Sequence, residues 1–180
     1  MQFWCAAKPT AWTWEWTAYV GVWGFIVLLV AAVIAWNRAA ARRAGEASAP
    51  LHPLFVVGVL VLWLALDWPI GPLGASHLAS VHMLQFLLIG LVAPPLLLRG
   101  VSPAAQAMVA EHAIVRKVTS PVFALVMFNV TVLVTHLPSV ADALMPSQLG
   151  SMAIDLAWLA TGLCFWWPIV LPLPARAKFP

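Results

Sequence analysis

Four side chains able to hold a metal ion or carry a proton stand in or beside strongly apolar sequence: His82, Met83, His136 and Asp155. Imidazole titrates near neutral pH and is the commonest metal-binding side chain. It suits copper among other ions, and a thioether is a soft ligand that favours Cu(I). On a helix, His82 and Gln85 are three residues apart and share a face with Phe86, while Ser151 and Asp155 are four apart and share another. If those faces turn inward, His82, His136 and Asp155 converge with Met83 and Met152 nearby, which is a set that could hold Cu(I). Spacing alone is a weak signal, because no C-x-x-C, H-x-x-x-H or H-E-x-x-H occurs. Each residue also has a structural alternative. His82 can hydrogen-bond across helices, His136 in THLP can cap a helix at an interface, and the methionines can simply pack. Asp155 is the costliest of the set to bury and calls for a partner. Asp67 in LDWP reads as a helix end, His77 as loop, and Cys164 as buried and inert.

The elements that must position these groups follow from composition. Of the 180 residues, 63% are hydrophobic and 8% charged, with a mean hydropathy of +0.96. Soluble domains carry roughly 25% charged residues, so the chain reads as an integral membrane protein without room for a separate soluble domain. That excludes a soluble enzyme, and no catalytic constellation is expected. Lipid-exposed backbone must satisfy its own hydrogen bonds, so the spans are helices. About 20 apolar residues cross a bilayer, and five runs qualify: 19–36, the shorter 53–68, 79–98, 121–137 and 150–169. The expected fold is all-α, a polytopic bundle in one membrane domain over 1–180. Pro94 and Pro95 are expected to end or kink the third span near its Arg99 end.

Basic residues give the sidedness. Arg38, Arg42 and Arg43 follow span one, Arg99, Arg116 and Lys117 lie between spans three and four, and Arg176 and Lys178 follow span five; only Lys8 falls on the other side. By the positive-inside rule the amino terminus is outside and the carboxyl terminus inside, as an odd number of spans requires. His82, His136, Asp155 and Asp67 then gather toward the outer face. The net charge of +3 serves topology and anionic lipid, with no nucleic-acid partner. Residues 37–53 read as a polar linker, and 102–117, opened by Ser-Pro, as a helix lying at the cytoplasmic interface. Most of the eleven tryptophans fit an interfacial belt; a tryptophan-lined ligand site is the minority reading. MQFWCAAKP has no basic start or apolar core before Cys5, which argues against a cleavable signal. Cys5 and Cys164 fall at different depths and are not expected to pair.

These residues also carry a resemblance. HMLQFLLIGLVAPPLLLRG, from His82 to Gly100, resembles the signature helix of the multi-spanning CtaG-type cytochrome c oxidase assembly factors. FWCAAKPTAWTWEWTAYVGVW, SPVFALVMFNVTVLVTHLP and ATGLCFWWPIVLP resemble further blocks of that family, in its order. The resemblance implies a helical bundle in the bacterial inner membrane and a role in maturing a haem-copper respiratory oxidase, whose subunits would be the partners. It implies a connection with copper, but no established catalytic reaction. A metal-insertion factor would bind Cu(I) at the outer face and release it by ligand exchange. Phe86 stands where the family's HM-x-QH pattern has its second histidine. Ser151, Ile154 and Asp155 stand at the positions of the usually histidine-rich fifth span, so His82, Gln85 and His136 are what remains of the pattern. Family members usually continue past FWWP, and both a natural short form and a fragment fit. These departures keep a second reading open, a metal-free accessory subunit packed on a respiratory oxidase.

Overall fold

Apolar runs of this length satisfy their peptide groups by coiling, and the chain does so almost throughout. A computed structural model describes residues 2–8, 11–110 and 112–171. Of the described residues 75% are helical, and none of them forms a strand. Helix α1, Val20–Ala44, is 25 residues long. It does not stop at residue 36 but runs on through NRAAARRA, because alanine and arginine are strong helix formers. Gly45, at φ 71°, closes it in the left-handed region where glycine is unstrained. Arg42 and Arg43 thus stand in the last turn, where positive charge suits the helix dipole, and the polar linker is correspondingly shorter. Helix α2, Pro53–Leu66, starts with proline at its first turn and His52 as its cap, the imidazole accepting from the Leu54 N–H at 3.2 Å. Short α3, Ile70–Ser76, follows at a 43° bend.

The third apolar run is one rod over Ala79–Leu98, made of α4 (Ala79–Leu87), a π-helical turn (Leu88–Val92) and α5 (Ala93–Leu98). Pro94 and Pro95 neither end it nor break it. Neither ring can donate back along the helix, and the turn before them widens until the Ala93 N–H reaches the Leu88 carbonyl. Beyond it, α6 (Pro103–Ala110) and α7 (Ala113–Val118) replace the single helix expected over 102–117; His112 caps α7 in an extended conformation and cannot continue α6. Helix α8, Pro121–Thr135, is followed at a 73° bend by α9, Pro138–Leu144, and the bundle closes with α10, Gln148–Val170. Among the described residues three helices are long and apolar enough to cross a membrane, and up to five spans result if each bent pair counts as one. The tryptophans before α1 and the α8–α9 bend lie at one end of the bundle, and the arginines of α1 and Arg99 at the other. Arg176 and Lys178 lie outside the described residues.

Single glycines let the helices close on one another. Pro94 leaves the Gly90 carbonyl without its usual donor, and α10 crosses there through Gly162. A Cβ at Gly162 would collide with the Gly90 carbonyl oxygen and lie 2.9 Å from the Pro94 ring. On the other side of α5, Gly58 of α2 would place a Cβ 2.8 Å from that of Leu96. Small residues at crossings are how membrane helices gain packing area without a hydrophobic drive. At the arginine-rich end, Asn37 donates to the Gly100 carbonyl at 2.6 Å and accepts from the Ser102 N–H at 3.0 Å, tying α1 to the turn after α5. At the opposite end a strap, residues 2–8, is sewn across the bundle. The Phe3 and Trp4 N–H groups donate to Gln148 Oε1 (2.7 and 3.1 Å), Ala7 to the Met145 carbonyl (2.8 Å), and Lys8 to Ser76 Oγ (3.0 Å).

Gly162→Ala should therefore cost about 1–3 kcal/mol through overpacking. Gly24→Ala, where nothing lies within 4 Å, should gain roughly 0.5–1 kcal/mol from lost chain freedom. Thermal unfolding in detergent checks both; equal and opposite shifts are not expected, but opposite signs are.

Candidate functional site

His82 reaches its position because α3 lies close on α4. Gly74 has the His82 backbone nitrogen 3.3 Å, and Gln85 Oε1 2.6 Å, from where a Cβ would stand. Gln85 is buried between the two helices, and His82, one turn earlier, is half-buried with its ring turned toward α8 and α10. His136 is the residue that ends α8. It is exposed, and its Nδ1 lies 2.7 Å from the Val132 carbonyl. A carbonyl oxygen can only accept, so that nitrogen carries the proton and Nε2 keeps the lone pair of the neutral ring. The two ring centres are 5.8 Å apart at 61°. His82 Nδ1 is buried and has no hydrogen-bond partner among the described residues. Two imidazoles from different helices thus meet, each with a ring nitrogen that no described protein group engages.

Aromatic rings enclose the pair. Trp158 of α10 lies 5.5 Å from His82 and is stacked on His136 at 5.7 Å and 20°. Phe86 lies 5.7 Å from His136 and 5.3 Å from Trp158, and stacks on Phe128 at 6.2 Å. Trp158 Nε1 donates to Thr135 Oγ1 at 2.9 Å, and that hydroxyl donates to the Thr131 carbonyl at 2.8 Å, so the indole is held in one orientation.

The other expected members go elsewhere. Asp155 is buried, but its Oδ2 accepts from Trp4 Nε1 at 2.8 Å, which commits it to the strap. Met83 is 44% exposed on α4, and Met152 packs against the core. Among the described residues no three His, Cys, Asp or Glu side chains are grouped so as to hold a metal ion. The structure therefore joins His82 and His136, directs Asp155 to Trp4 and leaves Met83 exposed on α4. The reason is the strap: a buried carboxylate takes the nearest donor, and the indole of Trp4 is brought to it by Gln148. Asp67, at the end of α2, is likewise buried and accepts from Trp23 Nε1 at 2.6 Å. Cys5, in the strap, is buried with its Sγ 3.3 Å from the Leu66 carbonyl. Burial pushes its thiol well above the ordinary range, so it stays protonated near neutral pH. His77 stacks edge-on against Trp12 at 5.3 Å, away from the pair.

Trp158, Thr135, Trp4 and Gln148 were not among the expected site residues. One signal for Trp158 was available: it lies ten residues into the 23-residue α10, too deep for a belt, and three after Asp155.

Residues 27–180 match the family described as cytochrome c oxidase caa3 assembly factor (Caa3_CtaG). The chain belongs to that family. No curated protein and no solved structure matches it. The family's description makes this CtaG-type chain a cytochrome c oxidase assembly factor. The match takes in His82, His136 and Trp158, and leaves the strap outside it.

Trp4→Phe removes the donor to a buried carboxylate and should destabilise the bundle by about 1–3 kcal/mol. Pairing it with Asp155→Leu should recover most of that loss, since removing both partners of a buried bond is far less costly than removing one. A double-mutant cycle on thermal unfolding checks this, and additive losses would contradict it.

Proposed function

We propose that this CtaG-type protein assists oxidase assembly by holding one Cu(I) ion between His82 and His136 and handing it to a subunit of a haem-copper oxidase. The observation that carries the reading is the His82–His136 pair itself. Two imidazoles that share an ion at metal–nitrogen distances near 2 Å have ring centres roughly 6 Å apart, and the observed separation is 5.8 Å. The unengaged Nδ1 of His82 and the lone pair on His136 Nε2 supply two neutral nitrogen donors. That donor set suits Cu(I), which is satisfied by two or three ligands, and falls short of the four that zinc takes in structural sites.

His136 is exposed, which leaves one side of the pair open to an acceptor. Transfer by ligand exchange moves no electrons: a copper–imidazole bond breaks as a bond to the acceptor's ligand forms, and copper remains Cu(I). The work is delivery rather than catalysis. The site would face outward in the bacterial inner membrane, with the amino terminus outside and the carboxyl terminus inside. The arginines at one end of the bundle and the tryptophans at the other support that orientation.

The second reading, a metal-free accessory subunit, draws on the apolar face of α8. Val122, Leu125, Val126, Val130 and Leu133 are all exposed there, and they suit permanent packing against another membrane subunit as well as lipid.

Titration of the detergent-purified protein with Cu(I) under reducing conditions tests the first reading. One equivalent should bind to the native chain, and His82→Ala and His136→Ala should each weaken binding at least tenfold. Properly folded protein that takes up no copper but co-purifies with an oxidase would establish the accessory reading instead. Orientation is checked with an impermeant thiol reagent on intact cells: Trp14→Cys should be labelled, and Arg43→Cys only after the membrane is opened.

A further inference from the structure

Resting on the Cu(I) reading above, we propose that Trp158 is itself part of the metal site: its indole face caps the ion held by His82 and His136 and restricts the site to monovalent soft cations. The lone pair of an imidazole lies in the plane of its ring. The rings of His136 and Trp158 are within 20° of parallel, their centres 5.7 Å apart. An ion in the plane of the His136 ring lies in a plane nearly parallel to the indole, and one midway between the two imidazole centres lies about 5 Å from the indole centre, within the roughly 6 Å over which an aromatic ring attracts a cation. The face is the electron-rich side of the ring, and tryptophan is the aromatic residue that attracts cations most strongly. His82 stands against the same indole at 5.5 Å, so an ion shared by the two imidazoles stays beside it.

The indole cannot swing away. It is 1% exposed, and its N–H is tied to Thr135. Phe86 and Phe128 extend the aromatic wall. Asp155, one turn from Trp158 on α10, accepts from Trp4 Nε1 through its Oδ2. The donors at the pair are thus neutral. With neutral donors a Cu(I) site carries one net charge and a divalent site two, in surroundings where uncompensated charge is costly. Two nitrogens and a π face suffice for Cu(I) or Ag(I), and leave Zn(II) short of ligands.

Phe86 provides the converse. Its ring is 5.7 Å from that of His136, at the position where the CtaG-type pattern carries a histidine. A third imidazole introduced there would complete a set that divalent ions accept.

The experiment is metal titration of the full-length protein in detergent with Cu(I), Ag(I) and Zn(II), reading affinity together with ultraviolet difference absorption of the indole. The native chain should bind Cu(I) and Ag(I) with a perturbed indole band and bind Zn(II) at least a hundredfold more weakly. Trp158→Leu should bind Cu(I) roughly three- to thirtyfold more weakly and lose the band. Trp158→Phe, which keeps the packing, should fall between them and also lose it. Phe86→His should gain Zn(II) binding. If Trp158→Leu and Trp158→Phe bind Cu(I) as tightly as the native chain, the cap is wrong while the histidine pair stands. If the native chain binds no Cu(I), both fall together.

Discussion

The approach of α10 to the third apolar helix fixes everything at the site. Pro94 removes the donor that would have covered the Gly90 carbonyl, the helix widens into a π turn, and Gly162 lets α10 settle against the exposed oxygen. From that contact the two helices climb in step. One turn up, Phe86 stands beside Trp158, and one turn further is His82. Ridges four residues apart carry the register of a helix crossing along its length. A contact chosen for backbone proximity near the middle of the bundle therefore decides which rings meet near its end. The paired prolines and the histidine at opposite ends of one sequence block belong to the same device.

That relation explains what could be read from the chain and what could not. The helical character, the membrane class and the family followed from composition, run length and a block of residues whose order is specific. The junction of His82 with His136 also followed, because both residues fall near the same end of their runs. Depth along a helix is legible in that way, since it needs only a count of residues. Rotation about the helix axis is not, because apolar residues cover every side of these helices and leave no stripe that marks the inward face. For Asp155 the count gives a depth but no partner, and the structure supplies Trp4. The extension of α1 to Ala44 is illegible for a different reason: charged residues mark where a span leaves the apolar layer, yet arginine and alanine continue a helix readily beyond it.

The tryptophans divide by what their N–H groups do. Trp14 and Trp16 are largely exposed, as residues of an interfacial belt would be. Trp4 and Trp23 instead serve buried carboxyl groups, Asp155 and Asp67, and Trp158 serves a threonine hydroxyl. An indole brings a single donor on a large apolar body. It can hold an acidic side chain in an apolar setting without importing a second charge, which an arginine or lysine would do. The low proportion of basic residues in the helices and the high proportion of tryptophan are two sides of that choice.

The strap over residues 2–8 bears on how the protein is made. Its anchors on the far side of the bundle, Met145 and Gln148, lie about 140 residues later in the sequence. A growing chain emerges from its amino end, so the strap must wait, without these partners, until the residues up to Gln148 have been made. Contacts between such distant parts of a chain are the slow ones to form. Docking of Trp4 beneath Gln148 is therefore a late event in biogenesis, and it can occur only in a molecule whose α10 is already in place. The buried indole is in that sense a receipt for the insertion of α10.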